Sequence, residues 1–170
     1  MPIWKGWIEM LRLPGNTPLP EAVSALLSKP DCRKAICLPQ ADGKLFVMDC
    51  AFLTSQNGVT LLAGLEQERT EAGSGFIRGL WFDQPAEIWL QSGEETLKLA
   101  AHVYRCHIAG PSFQFVLHQA RAQDPEEDLA AVWELIVDSC DRTEEPMPVP
   151  QEQHVRGCPE IHFDNPAILR

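Results

Sequence analysis

The chain is short of positive charge: 14 Lys and Arg stand against 24 Asp and Glu, for a formal net charge of −10. A protein that tracks nucleic-acid phosphates needs a basic face, and one that docks on anionic lipid needs a basic patch, so neither nucleic acid nor membrane is expected as a partner. Long apolar runs are missing too; none approaches the ~18 residues that cross a bilayer. The first seven residues, MPIWKGW, begin no long apolar stretch with a small-residue cleavage site, which points to a cytoplasmic protein. CxxC spacing is absent from the six cysteines (Cys32, Cys37, Cys50, Cys106, Cys140 and Cys158), and no GxSxG, P-loop or HExxH string occurs. The cysteines are expected to be buried apolar thiols, and no catalytic residue can be assigned by motif.

What is present is an ordinary globular composition. At 170 residues and 45% hydrophobic content the chain suits one domain with an arm, with a core that needs neither disulfide nor metal. Residues 1–16 hold Ile3, Trp4, Trp7 and Ile8 around Lys5-Gly6 and suit a short strand or an arm lying on another surface. Thr17-Pro18-Leu19-Pro20-Glu21 predicts a capped helix start, with Leu19, Val23, Leu26 and Leu27 on one face and Pro30 as its stop. From Arg33 the period changes to that of strands. Residues 35–38, 45–53 and 59–65 are strand candidates joined by turns at Asp42-Gly43 and Asn57-Gly58, too short for crossover helices, which predicts an antiparallel meander.

A polar stretch over 66–75 comes next. Residues 76–82 then predict a short helix burying Phe76, Ile77, Leu80 and Trp81. Residues 86–90, 97–108 and 113–117 complete a set of six strands. Asp124-Pro125-Glu126-Glu127 has the form of a helix start, and Leu129, Val132, Trp133, Ile136 and Val137 repeat at helical spacing, predicting an amphipathic helix that packs on the sheet. Beyond Thr143 the prolines predict an extended tail. The organisation expected is an arm and helix over 1–32, a barrel with its closing helix over 33–142, and a Pro-rich tail over 143–170.

The order of these elements resembles the FMN-binding split barrels related to pyridoxamine-5'-phosphate oxidase, over about residues 33–137. Three passages carry the likeness: the hairpin 35–48 around Asp42-Gly43, the helix–turn–strand passage 75–90, and the long strand 97–107 together with the strand and helix expected after it. The resemblance implies a mainly β, six-stranded antiparallel split barrel with a short helix after the third strand and a C-terminal amphipathic helix. It further implies a homodimer with flavin in a groove shared by the subunits, and a redox reaction or flavin-carrier role. The segment after the third strand and the short helix would supply the hydroxyls and cations for the FMN phosphate, which fall here on Arg69, Thr70, Ser74 and Arg78. The chain departs from the pattern at Gly75, where relatives often carry Lys, and Glu66, Glu68 and Glu71 crowd the same stretch with like charge.

Two other readings come from different classes. One is a cofactor-free dimeric structural or interaction protein. The other is a metal- or haem-binding module using the tail, where His154, Cys158 and His162 have an H-x3-C-x3-H spacing that fits no standard zinc motif. The strand histidines His102 and His107 are expected on opposite faces from their odd separation, with no metal site between them.

Overall fold

The computed structural model describes residues 17–155, so the sequence readings for residues 1–16, Cys158 and His162 lie outside the described residues. In chain order the elements are α1 (Glu21–Leu27), β1 (Arg33–Pro39), β2 (Leu45–Asp49), β3 (Leu53–Thr54), β4 (Leu61–Leu65), α2 (Glu71–Phe82), β5 (Pro85–Ser92), β6 (Glu95–His107), α3 (Pro111–Gln123) and β7 (Ala131–Arg142). Among the described residues the strands form one antiparallel sheet of seven, not six, in the order β2-β1-β5-β6-β7-β4-β3.

The predicted strand over 45–53 is broken at residues 50–52, and its two pieces, β2 and β3, end on opposite edges of the sheet. So short a link spans opposite edges only if the sheet curls until they approach. The Lys34 ammonium on β1 reaches the Leu53 carbonyl on β3 at 3.1 Å, across that seam. β6 carries register shifts at Ala100/Ala101 and Val103/Arg105, and such bulges bend a long strand and increase its twist. The result is a split barrel. A simple meander fails because the β2–β3 link is a seam, not a hairpin; β1 pairs onward with β5, and β4 with β7.

The barrel interior is filled by Ile36, Leu38, Leu61, Ile88, Leu90, Leu99 and Trp133, among others, and by Val23 and Leu26 of α1 and Phe76 of α2. Helix α1 forms where the sequence placed it, but it begins after Pro20 with no side-chain cap, and Thr17 lies outside it.

Two elements exchange roles against the sequence reading. The expected strand at 113–117 belongs to α3, whose Phe113, Val116, Leu117 and Ala120 form a buried stripe at helical spacing. Gly110, at φ +89°, turns the chain, and Pro111 starts the helix. The expected amphipathic helix over 124–138 is instead a turn leading into β7. The Asp124 side chain accepts from the Glu126 N–H at 3.1 Å in a local turn, the same hydrogen-bonding habit that caps helices. β7 then pairs with β4 on one side and β6 on the other. Ala131, Trp133 and Leu135 face the barrel, while Val132 faces α3 and packs with Leu62, Phe113 and Leu129. A strand buried on both faces shows no clean alternation, so its apolar residues mimic a helical stripe.

Trp133 stacks on Phe76 of α2 with ring centroids 5.2 Å apart and planes 5° from parallel. Its indole N–H is buried without a hydrogen-bond partner among the described residues. Trp133→Ala should destabilise the fold by about 3–5 kcal/mol in denaturant unfolding, from transfer plus cavity terms. Trp133→Phe, which keeps a ring and removes the unpaired donor, should cost clearly less; a loss under about 1 kcal/mol for the alanine variant would place the β7–α2 contact outside the core.

Candidate functional site

Helix α2 organises the site. Thr70 caps it, its hydroxyl accepting from the Gly73 N–H at 3.2 Å and donating to the Gln67 carbonyl at 3.0 Å. The helix therefore starts several residues before the expected Phe76, within the stretch read as a polar loop. Its buried face is made of Ala72, Gly73, Gly75, Phe76 and Gly79. A Cβ at Gly75 would lie 2.5 Å from the Leu38 Cβ on β1, and one at Gly79 would lie 2.8 Å from Val103 Cγ2 on β6. The glycines let the helix axis approach the strands closely. The larger apolar residues are turned outward as a consequence: of the expected buried stripe only Phe76 is buried, while Ile77, Leu80 and Trp81 are 47%, 39% and 77% exposed.

Between α2 and the β1–β2 turn lies a cleft of about 910 Å³. Ser74 and Arg78, one helical turn apart, line one wall with Ile77 and Phe82; Gln40, Lys44 and Phe46 line the other. The Arg78 guanidinium sits 5.1 Å from the Phe82 ring centroid and forms no ion pair among the described residues. The Gln40 amide donates to the Glu71 carbonyl at 2.9 Å, joining the turn to the helix start. Three carboxylates also reach this cleft: Asp42, Glu71 and Glu152. Asp42 is engaged in its own turn, accepting from the Lys44 N–H at 2.9 Å. Glu71 is engaged by the tail: the His154 N–H donates to it at 2.8 Å, and the His154 ring lies 3.0 Å from its other oxygen. Burial alone would raise the Glu71 pKa, but hydrogen bonds from the His154 N–H, its own N–H and the His154 ring outweigh that and hold it below the ordinary carboxylate value.

The four residues picked from the sequence divide. Ser74 and Arg78 share the large cleft. Thr70 is buried, committed to the cap, and lines a second cleft of about 260 Å³ with Met48, Phe52 and Gln67. Arg69 is exposed and lines neither. Lys44 and Gln40 escaped the sequence reading, and His154 entered it only as a candidate metal or haem ligand, because a residue in a hairpin turn or a tail has no local pattern that ties it to a helix elsewhere in the chain.

The remaining candidates fall outside the cleft. The bulge between Val103 and Arg105 resets the strand alternation, so His102 and His107 both reach carboxylates on one face of β7 rather than pointing to opposite faces. His102 pairs with Asp138 at 2.9 Å, and His107 with Glu134 at 2.9 Å, whose second oxygen accepts from the Thr60 hydroxyl at 2.6 Å. Among the described residues no group of three His, Cys, Asp or Glu is placed to hold a metal ion. Burial pushes the Cys50 thiol up to about 12 and the Cys37 thiol to about 11, so neither supplies a thiolate nucleophile at neutral pH. No helix among the described residues is long and apolar enough to cross a membrane.

The curled sheet, the helix with a glycine face after the fourth strand and the cleft beside it give this chain a split-barrel fold like that of proteins related to pyridoxamine-5'-phosphate oxidase. Solved structures with this fold include an FMN-binding protein from Syntrophomonas wolfei (TM-score 0.58, 7% identity, 85% of this chain and 97% of that one). They also include a candidate pyridoxamine 5'-phosphate oxidase from Lactobacillus delbrueckii (TM-score 0.51, 18% identity, 76% and 99%). An F420 reductase matches as well (TM-score 0.53, 13% identity, 72% and 98%). No family model and no curated protein matches the sequence. At these identities the likeness shows the fold.

Gly75 does not face the cleft but the sheet, in contact with Leu38. Gly75→Lys should therefore destabilise the protein, by about 1–3 kcal/mol or more from overpacking, rather than add a phosphate contact. Chemical unfolding together with an FMN titration checks this; a stable variant with tighter FMN binding would contradict the packing argument.

Proposed function

We propose that this chain is a flavin-nucleotide-binding split barrel, with FMN as cofactor, acting in a redox reaction or as a flavin carrier in the cytoplasm. The observation that carries the reading is Arg78: a cation on a cleft wall, steadied by stacking on Phe82 and not neutralised by a carboxylate among the described residues. A guanidinium in that state is suited to grip a phosphate bidentately, with Ser74 one turn away on the same wall. Ile77, Phe46 and Phe82 add apolar surface for a ring system. Of the three carboxylates at the cleft, Asp42 is held in its own turn and Glu71 by the tail, and none of the three forms an ion pair with Arg78 among the described residues. Thr70 would act indirectly, by capping the helix that presents Ser74 and Arg78, and Arg69 would add only long-range charge. When bound, flavin supplies the electron chemistry; the residues here would hold its phosphate and limit access to its ring.

Removing one charge-assisted contact costs about 1.5–3 kcal/mol, or roughly 10- to 150-fold in affinity. Arg78→Ala should weaken FMN binding by that factor and leave the thermal midpoint of the ligand-free protein nearly unchanged. Riboflavin, which lacks the phosphate, should bind wild type and variant alike. Equal FMN binding by the variant, or no preference for FMN over riboflavin in wild type, would remove the assignment.

The same reading includes a homodimer. Ile77, Leu80, Trp81 and Phe82 form a run of exposed apolar residues along α2, the kind of surface that an interface covers. The expected interface is on the order of 800 Å² per partner. Light scattering should give a mass about twice that of one chain at micromolar concentration, and Trp81→Asp should shift it toward the monomer. If the protein is dimeric but binds no flavin and has no visible absorption, the exposed α2 face favours the second reading, a cofactor-free interaction module.

A further inference from the structure

After β7 the chain crosses the outer face of the sheet. The Thr143 N–H donates to the Thr96 carbonyl at 3.1 Å, Glu145 meets Lys98 of β6 at 3.4 Å, and Met147 packs on Ala35, Cys37 and Trp89 of β1 and β5. At the edge strand β2, Gln151 and Val47 exchange hydrogen bonds: the Gln151 N–H donates to the Val47 carbonyl and the Val47 N–H to the Gln151 side chain, both at 2.9 Å. The segment then reaches α2, where His154 clips onto Glu71.

Residues 151–155 separate the large cleft from the small one. Gln151, Glu152 and His154 line the cleft of about 910 Å³, whereas Gln153 and Val155 line that of about 260 Å³. The elements on either side are divided in the same way. On β2, Phe46 belongs to the first cleft and Met48 to the second; at the start of α2, Glu71 belongs to the first and Thr70 to the second. The clefts adjoin along β2 and the cap of α2, the large one opening toward the body of α2 and the small one toward β4 and the loop before Thr70, and the segment 151–155 is the wall between them. The segment is held by polar contacts open to water, which contribute little net stability, and the Val155 side chain is 63% exposed. Elements held this way open at small cost.

We propose that residues 151–155 are a displaceable strap between two adjoining clefts, so that lifting it opens one groove along β2 and the ligand of the groove binds in competition with the chain's own tail. The identity of that ligand, a flavin nucleotide, rests on the function proposed for the Arg78 cleft. A ligand that needs a groove free for only part of the time binds with an apparent affinity reduced by that fraction. Weakening the strap should then strengthen binding.

Gln151→Pro removes the backbone donor and the side-chain acceptor to Val47 together; His154→Ala removes only the ring contact to Glu71. In the full-length protein, FMN should bind Gln151→Pro about 5- to 10-fold more tightly than wild type, and His154→Ala should move in the same direction by less. Hydrogen exchange at the Val47 amide should be faster in Gln151→Pro, and faster in wild type when FMN is bound. Equal FMN affinity in all three proteins, with Val47 exchange indifferent to FMN, overturns the strap and leaves the flavin reading intact. Weaker binding in the variants also overturns it, by making the tail a wall of the site. Tighter binding that no longer separates FMN from riboflavin upholds the strap and overturns the phosphate contact. FMN binding to none of the three overturns both.

Discussion

The approach of α2 to the sheet is the constraint on which the rest of the site depends. Gly75 and Gly79 put backbone where side chains would otherwise stand, against Leu38 and Val103. With the small residues inward, the helix must turn Ile77, Leu80, Trp81 and Phe82 toward solvent. The same rotation brings Ser74 and Arg78 round to face the β1–β2 turn and leaves room for a cleft between them. Phe76 is the one large side chain directed inward from this helix, and its stacking on Trp133 ties the helix to the strand that closes the barrel. A larger residue at Gly75 would push the helix outward and disturb the cleft and the Phe76 contact together.

The second organising feature is long-range closure. The link between β2 and β3, the Lys34–Leu53 contact and the bulges of β6 bend the sheet, and the curl lets α1 and α2 contribute to one core. Strand β2, left at an edge by this topology, has backbone groups facing outward, and the tail satisfies part of that edge through Gln151. An edge strand covered by a segment of its own chain is protected from pairing with another. The tail therefore serves the fold at β2 while its next residues lie beside the cleft.

Much of the topology was legible because its signals are local. The turns expected at Asp42-Gly43 and Asn57-Gly58 rest on residues that adopt positive φ, and Gly43 and Gly58 do so. The antiparallel pairs across these turns, β1–β2 and β3–β4, lie where the sequence placed them, as do the strands β5 and β6. α3 and β7 were misread for one shared reason. Both are short amphipathic segments, and whether Phe113 and Val116, or Val132 and Trp133, lie on a helix or a strand depends on what they pack against. β7 has strand neighbours on both sides and is buried on both faces at its start, so its apolar residues do not alternate. The bulge in β6 is equally invisible in the sequence, and it is what brought His102 and His107 to one face.

By itself, then, the sequence determined the acidic balance, the antiparallel pairing of the early hairpins and the short helix that carries Arg78, because charge, turn chemistry and short-range periodicity are properties of neighbouring residues. Tertiary structure decided which face of α2 is buried, that Thr70 caps the helix while Arg69 stays outside the cleft, that Lys44 and Gln40 join the site, and that His154 reaches Glu71 across the fold. Those outcomes depend on contacts between residues far apart in the chain, whose geometry is settled only when the sheet curls and the helix comes to rest on its glycines.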